Sequence, residues 1–70
     1  MSDVTIYTKP GCAYCAAAKD DLEKRGIHYT EYNVKADPVA LNRMLELNGN
    51  RRHLPTLVQG DRVTVGPHGY

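Results

Sequence analysis

Cysteine is scarce in this chain: the 70 residues include two. A secreted mini-protein of this length normally carries several disulfides to make up for a small core. The low count argues against such a scaffold, and reduced thiols in a cytoplasm are the expectation. Net charge is missing too. Nine Lys and Arg face eight Asp and Glu, leaving +1, which gives no reason to expect nucleic acid or an anionic membrane as a partner. There is no long apolar run. The longest uncharged stretch, residues 10–18, is too short and too small-residued to span a bilayer, and Asp3 interrupts an N-terminus that otherwise has no signal-peptide core. Internal repeats and linkers are absent, so residues 1–70 read as one domain. Its hydrophobic content of 41% and charge of 24% suit a folded chain, although one this short buries only roughly 60% of its unfolded surface.

Val4-Thr5-Ile6-Tyr7-Thr8 is β-branched and aromatic, so it predicts a strand. Lys9-Pro10-Gly11 breaks it, and residues 12–25 are Ala-rich, with Cys15, Ala18 and Leu22 on one helical face and Lys19, Asp20, Glu23 and Lys24 on or near the other. Gly26 ends that helix. A second strand follows over residues 27–34. Asp37-Pro38 then signals a helix start, with Asp as N-cap and Pro in the first turn. Leu41, Met44, Leu45 and Asn48 continue at helical spacing until Gly49. Residues 56–59 and 62–65 flank Gly60-Asp61 as a hairpin. The order strand, helix, strand, helix, hairpin implies a right-handed parallel crossover extended by antiparallel strands. The expected fold is α/β: a four-stranded mixed sheet with two helices.

The chemistry sits at Cys12 and Cys15. A cysteine at a helix start receives unpaired backbone N–H groups and the positive end of the dipole, which favours thiolate over thiol. Pro10 and Gly11 shape a tight turn expected to expose Cys12, and Lys9 adds charge nearby. Cys15, one turn further on the buried face, is the expected resolving thiol: it would attack a mixed disulfide at Cys12 and release the partner. A purely stabilising disulfide is a poor alternative, because so short a loop removes little unfolded-state entropy. A zinc half-site is another. It would have to recruit His28, His53 or His68, which lack the usual spacing, and no second Cys-x-x-Cys is present.

The run Tyr7-Thr8-Lys9-Pro10-Gly11-Cys12-Ala13-Tyr14-Cys15, followed by an Ala/Lys-rich helix, resembles the glutaredoxins and the related redoxins that draw on thioredoxin reductase to serve ribonucleotide reductase. The likeness runs through nearly the whole chain in element order, and Leu54-Pro55 stands where the family has Val-Pro. It implies a thioredoxin-like fold and a dithiol-disulfide oxidoreductase that reduces protein or glutathione mixed disulfides. No cofactor would be bound permanently; glutathione would be a co-substrate, or a thioredoxin-reductase-type flavoprotein the electron donor. It further implies a cis Pro55 beside the sulfurs and glutathione lying across Cys12 and Leu54. Lys9 and Tyr14 match glutathione-contacting positions. Arg51 or Arg52 would meet the glycine carboxylate, and Gly66 falls near the family's Gly-Gly. The alternative function is an iron–sulfur module bridging two chains through Cys12 and glutathione.

Four features depart from the family pattern. Ala13 replaces the Pro between the cysteines. His53 replaces a small polar residue two before Pro55, which would bring an imidazole towards Cys12. Residues 66–70 carry neither the second Gly with its acidic follower nor the signature of the reductase-dependent redoxins. The family's C-terminal helix is also missing from the pattern. An apolar patch is therefore expected on the sheet beside the first helix, covered by a second copy of the chain, by a partner, or by the tail with Tyr70 as plug.

Overall fold

The computed structural model describes residues 3–69. Its elements are β1 (Val4–Thr8), α1 (Ala13–Lys24), β2 (Tyr29–Asn33), α2 (Pro38–Asn48), β3 (His53–Gln59) and β4 (Arg62–Gly69). They form the expected four-stranded mixed sheet, in the order β2-β1-β3-β4. β1 runs parallel to β2 and antiparallel to β3, and β3 runs antiparallel to β4.

Local chemistry accounts for most of the boundaries. The Asp37 carboxylate caps α2 by accepting from the backbone N–H groups of Val39 and Ala40, both at 3.1 Å, and Pro38 occupies the first turn, where its missing N–H costs nothing. Gly49 closes α2 in the left-handed conformation, φ 75°, where a Cβ would be strained. The β3–β4 hairpin turns at Gly60-Asp61, with Gly60 at φ 59° in the first central position, the residue and place a II′ turn needs.

Three strands differ from expectation. β2 loses Ile27, His28 and Val34, which leave the β1 register; Val34 stays buried while its N–H bonds the Thr8 carbonyl at 2.9 Å. β3 begins three residues early, with a register shift between Leu54 and Thr56 that accommodates Pro55, which has no N–H for the ladder. β4 continues to Gly69, although Gly66 and Pro67 end the apolar alternation, because β3 supplies a partner as far as His53.

The register assigns the two sheet faces. Val4, Ile6 and Leu57, with Thr64 opposite Leu57, share the face carrying α1, where Leu22 and Ile27 join them around a hollow. Thr5, Tyr7 and Val58, with Val63, share the α2 face. The core gathers Tyr7, Cys12, Cys15, Val34, Ala40, Met44 and Leu54. Ile6, Met44, Leu54 and Thr56 are fully buried.

The expected apolar patch beside α1 is thereby corrected. Val63 and Val65 lie together on the α2 side, while β4 presents Arg62 and Thr64 to the other. Leu57 is half-buried in a hollow of about 300 Å³ rimmed by Arg25, Gln59, Arg62 and Thr64. Among the described residues, the exposed large apolar side chains are Tyr14, Tyr32 and Val39, none of them on this face. Tyr70, suggested as a plug, lies outside the described residues.

Candidate functional site

Cys12 is the N-cap of α1. Its extended backbone (φ −89°, ψ 106°) lets the sulfur take the place of a capping oxygen, accepting the Cys15 backbone N–H at 3.1 Å, while its carbonyl receives the Ala16 N–H at 3.1 Å. The first turn contains no acidic residue, so nothing offsets the dipole there. Contrary to expectation, Cys12 is buried, at 5% exposure, scarcely more open than Cys15 at 2%. The turn folds its sulfur back over the N-terminus instead of presenting it outward. Access therefore does little to separate the thiols. Their environments do: burial first, then hydrogen bonding to Cys12, pushes the Cys15 thiol up to about 12, with a hydrogen bond from the Lys9 backbone and, less strongly, the Lys19 charge pulling the other way. Both cysteines are free thiols.

One side of the pair opens on a hollow of about 610 Å³ whose lining includes Lys9, Cys12, Cys15, Lys19, Glu31 and Asn33. Within it the Thr8 hydroxyl donates to Glu31 Oε2 at 2.7 Å, and Lys19 Nζ donates to the same oxygen at 3.0 Å. The Thr8 bond, then the Lys19 bond, holds the Glu31 carboxyl below the usual carboxylate range, and the Glu31 bond raises Lys19 in turn.

The other side is built from the chain entering β3. Leu54 is fully buried and packs with Cys12 and Cys15 in the core cluster, and the Leu54–Pro55 peptide is cis. Gly66, on β4, lies against this peptide: a Cβ there would collide with Pro55 Cδ and stand 2.6 Å from the Leu54 carbonyl oxygen. Behind it, the buried Asn48 side chain clamps the approach. Its Nδ2 donates to the Arg51 carbonyl at 2.8 Å and to Thr56 Oγ1 at 3.2 Å, and its Oδ1 accepts the Arg51 N–H at 3.0 Å. Thr56 Oγ1 donates onward to the His53 carbonyl at 3.0 Å.

Of the residues singled out from sequence, the fold gathers Lys9, Cys12, Cys15, Leu54, Pro55 and Gly66. Tyr14, at 53% exposure, Arg51 and His53 have exposed side chains and take no part in lining the 610 Å³ hollow. Sequence reasoning missed Lys19, Glu31, Thr8 and Asn48. The spacing of Cys15 and Lys19 carried a signal, since residues four apart share a helix face.

A glutaredoxin family model matches residues 4–64. The chain belongs to the glutaredoxin family. It is 42% identical over 67 residues to a glutaredoxin of Neisseria meningitidis serogroup B, covering 94% of this chain and 78% of that one. Among solved structures, the solution structure of a Brucella melitensis glutaredoxin aligns with TM-score 0.71 and 39% identity over 94% of this chain and 71% of that chain. The Escherichia coli NrdH-redoxin, described as a glutaredoxin-like protein with a thioredoxin-like activity profile, aligns with TM-score 0.80 and 33% identity over 90% and 80%. This glutaredoxin-family chain thus has the thioredoxin-like fold its motif implied, and its Cys12/Cys15 pair fits a dithiol redox motif.

Proposed function

We propose that the protein is a dithiol-disulfide oxidoreductase that reduces protein disulfides or glutathione mixed disulfides. The observation that carries this reading is the asymmetry of two adjacent free thiols. Cys12 caps a helix and accepts an N–H bond, while Cys15 is held as a thiol close behind it. In the proposed reaction Cys12 attacks a substrate disulfide, one substrate sulfur leaves, and Cys15 then displaces the other to close the Cys12–Cys15 disulfide. Two thiols carry both electrons, so no bound cofactor is needed, and a reducing cytoplasm is the setting that suits them.

Glutathione is the proposed co-substrate. Lys9 is one of two cations, with Lys19, that line the cysteine hollow, and Arg51, whose backbone N–H is held by Asn48, would meet a carboxylate. Leu54 and Pro55 would form the floor under an extended peptide-like ligand, Tyr14 its outer edge, and Gly66 the limit of its approach. The iron–sulfur alternative draws less support: its four thiolates would come from Cys12 of two chains and from glutathione, which leaves the adjacent Cys15 thiol without a part.

Coupled NADPH oxidation tests the reading, with glutathione and its reductase in one cuvette and thioredoxin reductase in the other. Turnover in either names the donor. No turnover in both, with no mixed disulfide detectable by mass, would overturn it.

A further inference from the structure

A buried thiol that must become a nucleophile needs something to favour loss of its proton. The described groups that approach Cys15 come from four directions. Cys12 stands at the helix cap, the Lys9 backbone lies in the loop after β1, Lys19 is one turn along α1, and Leu54 packs from β3. Of the two lysines that line the hollow with Cys15, Lys9 acts on it through its backbone and Lys19 through its charge. The place of Lys19 is fixed by Glu31 on β2, which is fixed in turn by the Thr8 hydroxyl. Lys19 and Glu31 are each about one-third exposed, at 32% and 37%, and both border the hollow that holds the cysteines.

The geometry points to Lys19 and Glu31 as a positioning pair for the resolving step: the Lys19 ammonium favours the attacking form of Cys15, and Glu31 both holds that ammonium in place and tempers its field. This rests on the dithiol reading above and adds to it a control on the second half of the reaction. In that half Cys15 releases its proton to solvent, and its electron pair forms the Cys12–Cys15 bond. The bond from Cys12 to the partner sulfur breaks, and the partner leaves with that pair as a thiolate, which takes up a proton from solvent. No outside oxidant or reductant enters.

Charge gives this role a signature that structure alone would not. Lys19→Met and Glu31→Gln break the same ion pair but remove opposite charges, so they should shift the resolving step in opposite directions. Moving the titration midpoint of a thiol by about one pH unit changes its thiolate fraction about tenfold. Because a less basic thiolate is also a weaker nucleophile, with a Brønsted slope of about 0.4–0.5, the rate changes about three- to fourfold.

Stopped-flow mixing with Ellman's reagent separates the two steps, the first burst of coloured thiol reporting attack by Cys12 and the second reporting resolution by Cys15. Lys19→Met should slow the second burst about three- to fourfold, Glu31→Gln should speed it by a similar factor, and Lys19→Arg should restore the parent rate. Second-burst rates that move the same way in both variants, or in neither, would overturn the proposal. An absent first burst would instead refute the dithiol reading. The pair would then be judged by thiolate absorbance of Cys15 in a Cys12→Ser background, where Lys19→Met must raise the titration midpoint and Glu31→Gln must lower it.

Discussion

The two sides of the cysteine pair are made in different ways. The β1–α1–β2 side is polar and comes from residues 8–33, a short stretch of chain whose groups meet through one parallel crossover. Thr8, Lys19 and Glu31 act there through charge and hydroxyl contacts. The side formed by Leu54, Pro55 and Gly66 is closed by shape: a buried side chain, a cis peptide and a strand with no room for a Cβ. Asn48 and Thr56 hold it from behind with neutral hydrogen bonds. Electrostatic influence survives small displacements, whereas close packing does not. Substitutions on the charged side should therefore change rates while sparing the fold, and substitutions on the packed side should affect both.

The largest effect is expected at the thiols that the two sides share. Cys12→Ser should abolish disulfide reduction, whereas Cys15→Ser should trap a mixed disulfide visible by mass. In the native protein iodoacetamide should modify Cys12 far faster than Cys15 at neutral pH, because burial keeps Cys15 protonated. Equal alkylation rates would remove the distinction between the thiols.

Next comes the clamp. Asn48→Ala deletes three hydrogen bonds at a site only 7% exposed. Because the two bonds to the Arg51 backbone are only part-buried while the bond to the Thr56 hydroxyl is buried, the expected loss is about 2 kcal/mol. Urea unfolding measures this, and a loss below about 0.5 kcal/mol would show that the residue 49–53 loop holds itself. Gly66→Ala should cost a comparable 1–3 kcal/mol, as overpacking does, because its neighbours are backbone and a proline ring. It should also slow substrate reduction by displacing Leu54–Pro55. Unchanged kinetics with lowered stability would separate the packed side from the substrate path.

The smallest effect belongs to the charged side. The ion pair is partly exposed, so Glu31→Gln should cost less than about 1 kcal/mol. Its pH dependence has a definite sign. Glu31 has a lowered folded pKa and Lys19 a raised one. The Glu31 contribution is therefore present above the ordinary carboxylate value of 4.5 and fades as pH falls through the folded value. The Lys19 contribution is present below 10.5 and fades as pH rises through its folded value. Stability curves of the native protein and Glu31→Gln should hence run parallel at neutral pH and converge in acid. Curves that converge already near neutrality would mean that another group titrates in this cluster.

Local chemistry was enough to read much of this protein from its residues. β1 could be read from its β-branched run, α2 from Asp37-Pro38 and Gly49, the hairpin from Gly60-Asp61, and the redox pair from two cysteines at a helix start. Each of these depends on neighbours within one turn or one strand, which is why a linear pattern reveals them. Tertiary structure decided what depends on register and packing. Glu31 meets Lys19 only because β2 pairs with β1 so that Glu31 stands beside Ile6, on the face α1 covers. Asn48 reads as one more position on a helix face until β3 brings Thr56 to it, and Val63 and Val65 share a face with α2 because Thr56 and Val58 lie opposite them on β3. The burial of Cys12 and the close approach of Gly66 to Pro55 likewise exist only in the folded chain, since each is a contact between segments whose separation in sequence sets no distance in space.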